Sequence, residues 1–305
     1  MDQRVPQRTL TAPEEDGGRA GGMGPGAAPR APGETAVQAA IELRDVYRLF
    51  TLPRGRGIDV FVALEGVSLR VAEGEFVSIV GPSGCGKSTI LNLIAGLLAP
   101  TAGQVVVFGR PVRGLNRAVG YVTQDDNLLP WRTALANVEI ALELKGVPPA
   151  ERRARAVAGL ARVGLRGFEH HYPHELSGGM RKRVSIVRTI VDESVNVVLM
   201  DEPFGPLDAQ TRLVLQDELL QLWQGSGRTV VFVTHDLVEA IALADRIAIF
   251  TRAPGTIKAV RPVPIPRPRD VFHIHEAPGF ATIYDAIWED LREEITGRRP
   301  RGGDG

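Results

Sequence analysis

At 305 residues, with 44% hydrophobic and 24% charged residues, the chain has the balance of a soluble globular protein of one or two domains. Lys+Arg and Asp+Glu are both 36, so no overall basic excess points to nucleic acid as the main partner. The single cysteine, Cys85, excludes an intrachain disulfide and fits a reducing compartment, and no apolar run is long enough to span a membrane.

Residues 1–38 are rich in Gly, Pro, Ala and Arg, without a hydrophobic signal core. They cannot bury enough apolar surface to offset their ordering entropy, so a disordered tail is expected. Order should begin in IELRDVYRLF, where Ile41 and Leu43 suggest a strand, with RGRGID as a hairpin loop. FVALEGVSLRVAEGEF then holds a second strand and a turn at Glu73–Gly74. FVSIV, Phe76 to Val80, is an almost unbroken apolar run, the pattern of a strand buried on both faces. After GPSGCGK, STILNLIAGLL spaces Ile90, Leu91, Ile94 and Leu97 at helical intervals. ERRARAVAGLAR reads as a helix with Val157, Leu160 and Ala161 on one face and arginines on the other. VNVVLM and TVVFVT read as buried strands, with a helix between them (TRLVLQDELLQLW) and another after them (DLVEAIALA). Strands alternating with helices predict an α/β fold, a parallel sheet with helices on its faces. The region from about Thr123 to Asp192 is expected to be nearly all helical and a separate subdomain. Past it, APGTIKAVRPVPIPRPR predicts a strand and an extended segment, and FATIYDAIWEDLREEI a helix with Ile283, Ile287, Trp288 and Leu291 on one side.

The turn after Phe76–Val80 carries the chemistry. Gly81-Pro82-Ser83-Gly84-Cys85-Gly86-Lys87-Ser88 fits G-x-x-x-x-G-K-[ST], and Thr89 continues into the helix. Successive N–H groups and a helix N-terminus make an anion nest, and glycines let the backbone come close to phosphates. Lys87 can reach the β- and γ-phosphates, and the Ser88 hydroxyl can ligate Mg²⁺. VNVVLMDEP ends a buried strand in two carboxylates. Asp201 is placed to hold the cation and Glu202 to polarise an attacking water. This is the pattern of a P-loop ATPase. In ELSGGMRKRVSIVRTI, Ser177 can cap a helix at whose start Gly178 and Gly179 expose N–H groups, a second anion site.

With Leu176–Gly179 in place, the chain resembles the ATP-binding-cassette (ABC) ATPases. The resemblance runs from about Ile41 to Val260. It implies a RecA-like core, an antiparallel β subdomain and a helical signature subdomain within an ATPase domain of residues 39–260, followed by a short extension, 261–305. It further implies that the signature of one subunit covers the γ-phosphate of ATP held by another, so a second ATPase subunit completes the site. By the same resemblance Gln124 in YVTQDD senses the nucleotide and the membrane partner and joins Ser88 and Asp201 around Mg²⁺. His235 in VFVTHD contacts the γ-phosphate, and Asp208 lies in the loop that crosses the dimer interface. Phe50, or else Tyr47, stacks on adenine. Two departures stand out: Lys182 where the family usually has glutamine, and Gly205-Pro206 in place of Ser-Ala. Neither removes a catalytic group; the second bears on communication between subunits.

QDDNLLPW and DEPFGPLDAQTR are similar to the importer group for nitrate, sulfonate and taurine. That implies an integral membrane permease and, indirectly, a solute-binding protein as partners, with the chain at the cytoplasmic face of the cell membrane. Trp131 would anchor the permease, unless it packs inside the helical subdomain. An exporter or lipid-trafficking ATPase is the alternative. A soluble cassette protein of DNA repair or ribosomes usually has two cassettes, a long coiled coil or a zinc module, none of which is read here.

Overall fold

The computed structural model describes residues 38–54 and 57–296; the expected disordered tail lies outside them except for Gln38. The ordered chain opens with a long antiparallel hairpin, β1 (Ala39–Arg54) and β2 (Gly57–Ala72). Ile58 and Asp59, expected in a loop, pair with Pro53 and Leu52, because the ladder continues almost to the hairpin tip. Then come β3 (Phe76–Val80), α1 (Lys87–Ala95), β4 (Ala102–Val107), β5 (Arg110–Pro111) and β6 (Val119–Val122). Three helices follow, α2 (Ala134–Glu143), α3 (Pro149–Arg162) and α4 (Gly178–Ile190). The chain closes through β7 (Val197–Asp201), α5 (Ala209–Trp223), β8 (Thr229–Val233), α6 (Leu237–Leu243), β9 (Arg246–Phe250), β10 (Ile257–Pro262) and α7 (Phe280–Thr296).

Two sheets result. One is antiparallel, in the order β2-β1-β4-β5; the other runs β10-β9-β3-β8-β7-β6 and is parallel except for β10. The central strands are apolar throughout because both faces are covered. Phe76 and Val80 of β3 pack with α5, α6 and α7, while Val77 and Ile79 pack with α1 and the antiparallel sheet. Parallel pairing sets Ile79 and Asp201 both against Val233, so the turns after β3, β7 and β8 open on one edge. That carboxyl edge is where an open α/β sheet takes its ligand.

The helical region forms its own core from Leu135, Val138, Leu160, Val184 and Val187. Its first helix begins only at Ala134; the preceding loop is braced by buried Asn137, whose amide donates to the carbonyls of Leu129, Arg132 and Thr133. Several facing residues differ from expectation. Ala156 rather than Val157 lines the inner face of α3 with Leu160, and Val157 is exposed. Leu97 is exposed because α1 stops at Gly96. In α7 the buried stripe is Phe280, Ile283, Ile287 and Leu291, and Trp288 falls outside it.

The segment beyond β10 packs back on the parallel sheet. Helix α7 is tied to β10 by Arg261–Asp290 at 2.8 Å and Lys258–Glu293 at 3.2 Å. Buried Arg269 donates to the carbonyls of Ile241 (2.8 Å) and Ala244 (2.6 Å), satisfying acceptors that the end of α6 leaves open.

Candidate functional site

Chain leaving β3 is pressed between its neighbours. A Cβ on Gly86, whose φ is +97°, would lie 2.7 Å from Leu64 Cδ2 and 2.9 Å from the Ala63 carbonyl. Gly255, which the motif reading did not single out, closes the loop from below: its Cβ would sit 2.0 Å from the Cys85 carbonyl. Only glycine allows these approaches. Ser83, Gly84 and Ser88 remain exposed, Gly81, Pro82, Gly86 and Thr89 are half-buried, and Cys85 is buried with its thiol pushed up by desolvation. Lys87 is buried, and its ammonium donates to the carbonyls of Gly81 (3.0 Å) and Pro82 (2.9 Å). The cation is thus stored inside the loop.

Asp201 ends β7 beside this loop, within reach of Ser88. Burial pushes its carboxyl up; adjacent Glu202 adds to the rise, and Ser88, Tyr121 and Lys87 oppose it. Tyr121 was not anticipated. Its hydroxyl approaches Asp201 Oδ2 at 3.4 Å, and burial together with that carboxylate raises the phenol well above its ordinary value. Glu202 sits in the left-handed region at φ +44°, a conformation a glutamate adopts only when its surroundings impose it. The N–H of Glu202 donates to the Val233 carbonyl at 2.9 Å, and its own carbonyl accepts from Gly205 at 3.2 Å. His235 Nδ1 lies 3.1 Å from Glu202 Oε2. Ser88, Asp201 and the Gln124 amide offer only oxygen as metal donors, a set that fits a hard cation such as Mg²⁺.

The signature segment opens α4. Ser177 caps α4 by accepting from Met180 N at 3.3 Å. A Cβ on Gly179 would meet Thr211 Cγ2 at 2.7 Å, and one on Gly178 would meet Leu207, so the signature packs on the start of α5. Asp208 caps that helix; the Thr211 N–H, 2.9 Å away, holds its carboxyl below the usual range. Gln124 is exposed, its Nε2 3.9 Å from where a Gly205 Cβ would be. Among the described residues no hydrogen bond or ion pair joins Ser177–Gly179 to Gly81–Thr89.

Comparison with known proteins agrees with this arrangement. The ABC transporter family matches residues 64–205. An uncharacterized ABC transporter ATP-binding protein of Methanocaldococcus jannaschii is 50% identical over 76% of this chain and 85% of its own length. This chain belongs to the ABC transporter ATP-binding family. The taurine import ATP-binding protein of Yersinia pestis is 46% identical to the cassette over 64% of this chain and 76% of its own. A dimeric ATP-binding cassette solved after hydrolysis with ADP and Pi superposes with a TM-score of 0.64 at 36% identity, covering 73% of this chain and 98% of that one.

Of the candidate adenine platforms in the cassette, Phe50 is half-buried in β1 opposite Phe61, with the Arg48 guanidinium 4.5 Å from its ring centroid. Tyr47 is turned to the Gly66 backbone, where its hydroxyl would lie 3.3 Å from a Cβ. Trp131 is 71% exposed, so it does not pack inside the helical subdomain.

Beneath His235 the cassette buries a carboxyl that the motif reading passed over. Glu239 accepts from Gln216 Nε2 at 2.8 Å and from the Thr234 hydroxyl, which itself accepts from Asp236 N at 3.0 Å. Burial pushes Glu239 up to about 7, against the pull of those hydrogen bonds and of Arg212, with Asp236 adding to the rise. A raised carboxyl favours the fold when protonated. Its contribution is whole below its ordinary value of 4.5 and is lost as pH rises through about 7. Glu239→Gln should therefore gain on the native protein between about pH 5 and about pH 8, by about 1–3 kcal/mol. Urea midpoints at constant slope would read this, and a difference independent of pH would contradict it.

Proposed function

We propose that this chain is the ATP-hydrolysing subunit of an importer for a small anionic solute of the nitrate, sulfonate or taurine kind. The loop N–H groups and Lys87 hold the phosphates. Glu202 takes a proton from the attacking water, and His235 orients the carboxylate that does so. Mg²⁺, held by Ser88, Asp201 and Gln124, would neutralise charge on the phosphate oxygens.

The likeness to the taurine import ATP-binding protein supports the solute class, and one observation carries the two-subunit mechanism. The phosphate loop and the signature are each fully formed, yet no hydrogen bond or ion pair among the described residues connects them. Two copies facing one another would bring each signature onto the other's nucleotide, with Asp208 at the seam. Closure on ATP and release after hydrolysis would then drive a separate permease. No helix among the described residues is long and apolar enough to cross a membrane. In this reading the permease supplies the spans and the chain works at the cytoplasmic face of the cell membrane. Exposed Trp131 suits docking to that permease, since exposed aromatics often anchor interfaces.

The test is a pull-down of tagged Glu202→Gln from detergent-solubilised membranes in ATP, with copurifying chains identified by mass spectrometry. An integral membrane permease at near-equal stoichiometry is expected, with a solute-binding protein encoded beside it. A permease of an exporter or lipid-trafficking class would replace the importer reading, and a purely soluble set of partners would overturn the transport reading altogether.

A further inference from the structure

Helix α4 grips the segment Thr123–Asn127 by its main chain. Lys182 Nζ donates to the carbonyls of Thr123 (3.1 Å) and Gln124 (2.7 Å). Arg188 donates to the carbonyls of Asp126 (2.9 Å) and Asn127 (2.8 Å). Arg181 Nε bonds the Asp126 carboxylate at 2.8 Å, and the Thr123 hydroxyl takes the Asp125 carbonyl at 2.8 Å. Every carbonyl from Thr123 to Asn127 thus accepts a hydrogen bond, four of the five from one helix.

Among these cations Lys182 is the costly one. It is 3% exposed, whereas Arg181 is far more open and is ion-paired with the Asp126 carboxylate. Burying an ammonium without an ion pair carries a desolvation penalty. A glutamine at this position would offer two neutral N–H donors at less cost. What the ammonium adds is charge-assisted hydrogen bonding, roughly twice as strong as the neutral kind. Both of its acceptors adjoin the Gln124 backbone, and the Gln124 side chain lies beside the Glu202–Gly205 turn. The same helix begins with the signature, Ser177 to Gly179.

We infer that Lys182 is a positioning residue: by gripping the Thr123 and Gln124 carbonyls it holds Gln124 beside the Glu202 turn and makes the signature helix and the Gln124 loop move as one body. Displacement of the signature on closure over a second nucleotide then reaches Gln124 directly, through two hydrogen bonds rather than through the helical core. The inference rests on the reading of Gln124 as a group that acts at the nucleotide site.

The experiment is a double-mutant cycle in the full chain, within the detergent-solubilised assembly with which it copurifies. Lys182→Met keeps the side-chain length and removes the donors; Lys182→Gln restores neutral ones; Gln124→Ala removes the group being positioned. ATPase kcat, KM for ATP and Tm are read for each. Lys182→Met should lower kcat about tenfold with KM within about twofold, and Lys182→Gln should recover most of that loss. Adding Gln124→Ala to Lys182→Met should cost little more than the larger single effect, because both act on one path. A native kcat in Lys182→Met alongside an impaired Gln124→Ala would overturn the inference. So would losses that multiply in the double variant, or a Lys182→Gln as slow as Lys182→Met with an equally lowered Tm. A native kcat in Gln124→Ala would instead overturn the reading of Gln124 on which the inference stands.

Discussion

Glu202→Gln should bind ATP as tightly as the native cassette and hydrolyse it about 10²- to 10⁴-fold more slowly, the usual contribution of a positioned general base. The substitution keeps the shape of the side chain. It therefore leaves the strained turn intact, with Glu202 N–H on the Val233 carbonyl and Gly205 N–H returning to residue 202. The amide can still meet His235 Nδ1, now 3.1 Å from the carboxylate, but it cannot take a proton from water. The phosphate contacts proposed here lie elsewhere, in Gly81–Thr89, so affinity has no reason to fall. Equilibrium binding of ATP and single-turnover hydrolysis separate the two effects. Turnover at the native rate would remove Glu202 from the role of base. A matching loss of affinity would mean that the turn itself had collapsed, and the φ of +44° at this residue makes a bulkier replacement there a poor control.

How much of this was legible in the sequence depended on the range of each interaction. The phosphate loop and the Asp201–Glu202 pair could be read because each follows a strand buried on both faces, and a continuous apolar run leaves a local trace. Ser177 could be read as a cap for the same reason, since its partner Met180 is three residues away; Asp208, placed by the resemblance in the interface loop, also caps α5 by accepting from Thr211 N, a role that was not read. Gly255, Tyr121 and Glu239 left no such trace. Gly255 meets Cys85 across most of the domain, Tyr121 reaches Asp201 from the neighbouring strand, and Glu239 answers to Gln216 on a different helix. Strands β4 and β6 were missed because half of β4 is exposed and β6 is only four residues long. The stripe on α7 was misplaced at Trp288 because periodicity alone favours any large apolar residue near the line. Contact with α6, β9 and β10 selects Phe280 instead. Lys182 was visible as a departure from its family, but what it holds could be seen only once Thr123 and Gln124 were folded over α4.

Lys87→Ala tests the other half of the site and should weaken nucleotide binding severely without unfolding the protein. Lys87 is 6% exposed, and its ammonium rests on the Gly81 and Pro82 carbonyls. Those two residues are half-buried, so water can replace the lost donors, and the nucleotide-free Tm should move by only a few degrees, about 1 kcal/mol or less. The cost with nucleotide is larger. A lysine beside a triphosphate in a partly dehydrated loop is a charge-assisted contact worth about 3 kcal/mol, so affinity should fall about 100-fold or more. Ligand stabilisation is the direct readout: ATP at about ten times the native Kd should raise the Tm of the native cassette and leave that of Lys87→Ala almost where it was. Lys87→Met, which keeps most of the volume, divides charge from packing. Equal loss in both variants assigns the effect to the ammonium, whereas binding retained in Lys87→Met would show that the loop needs the side chain as a filler. In that case the backbone N–H groups and the α1 N-terminus alone would carry the phosphates. Exchange for arginine is no substitute control, since a planar guanidinium would have to fit where a compact ammonium is enclosed by two carbonyls.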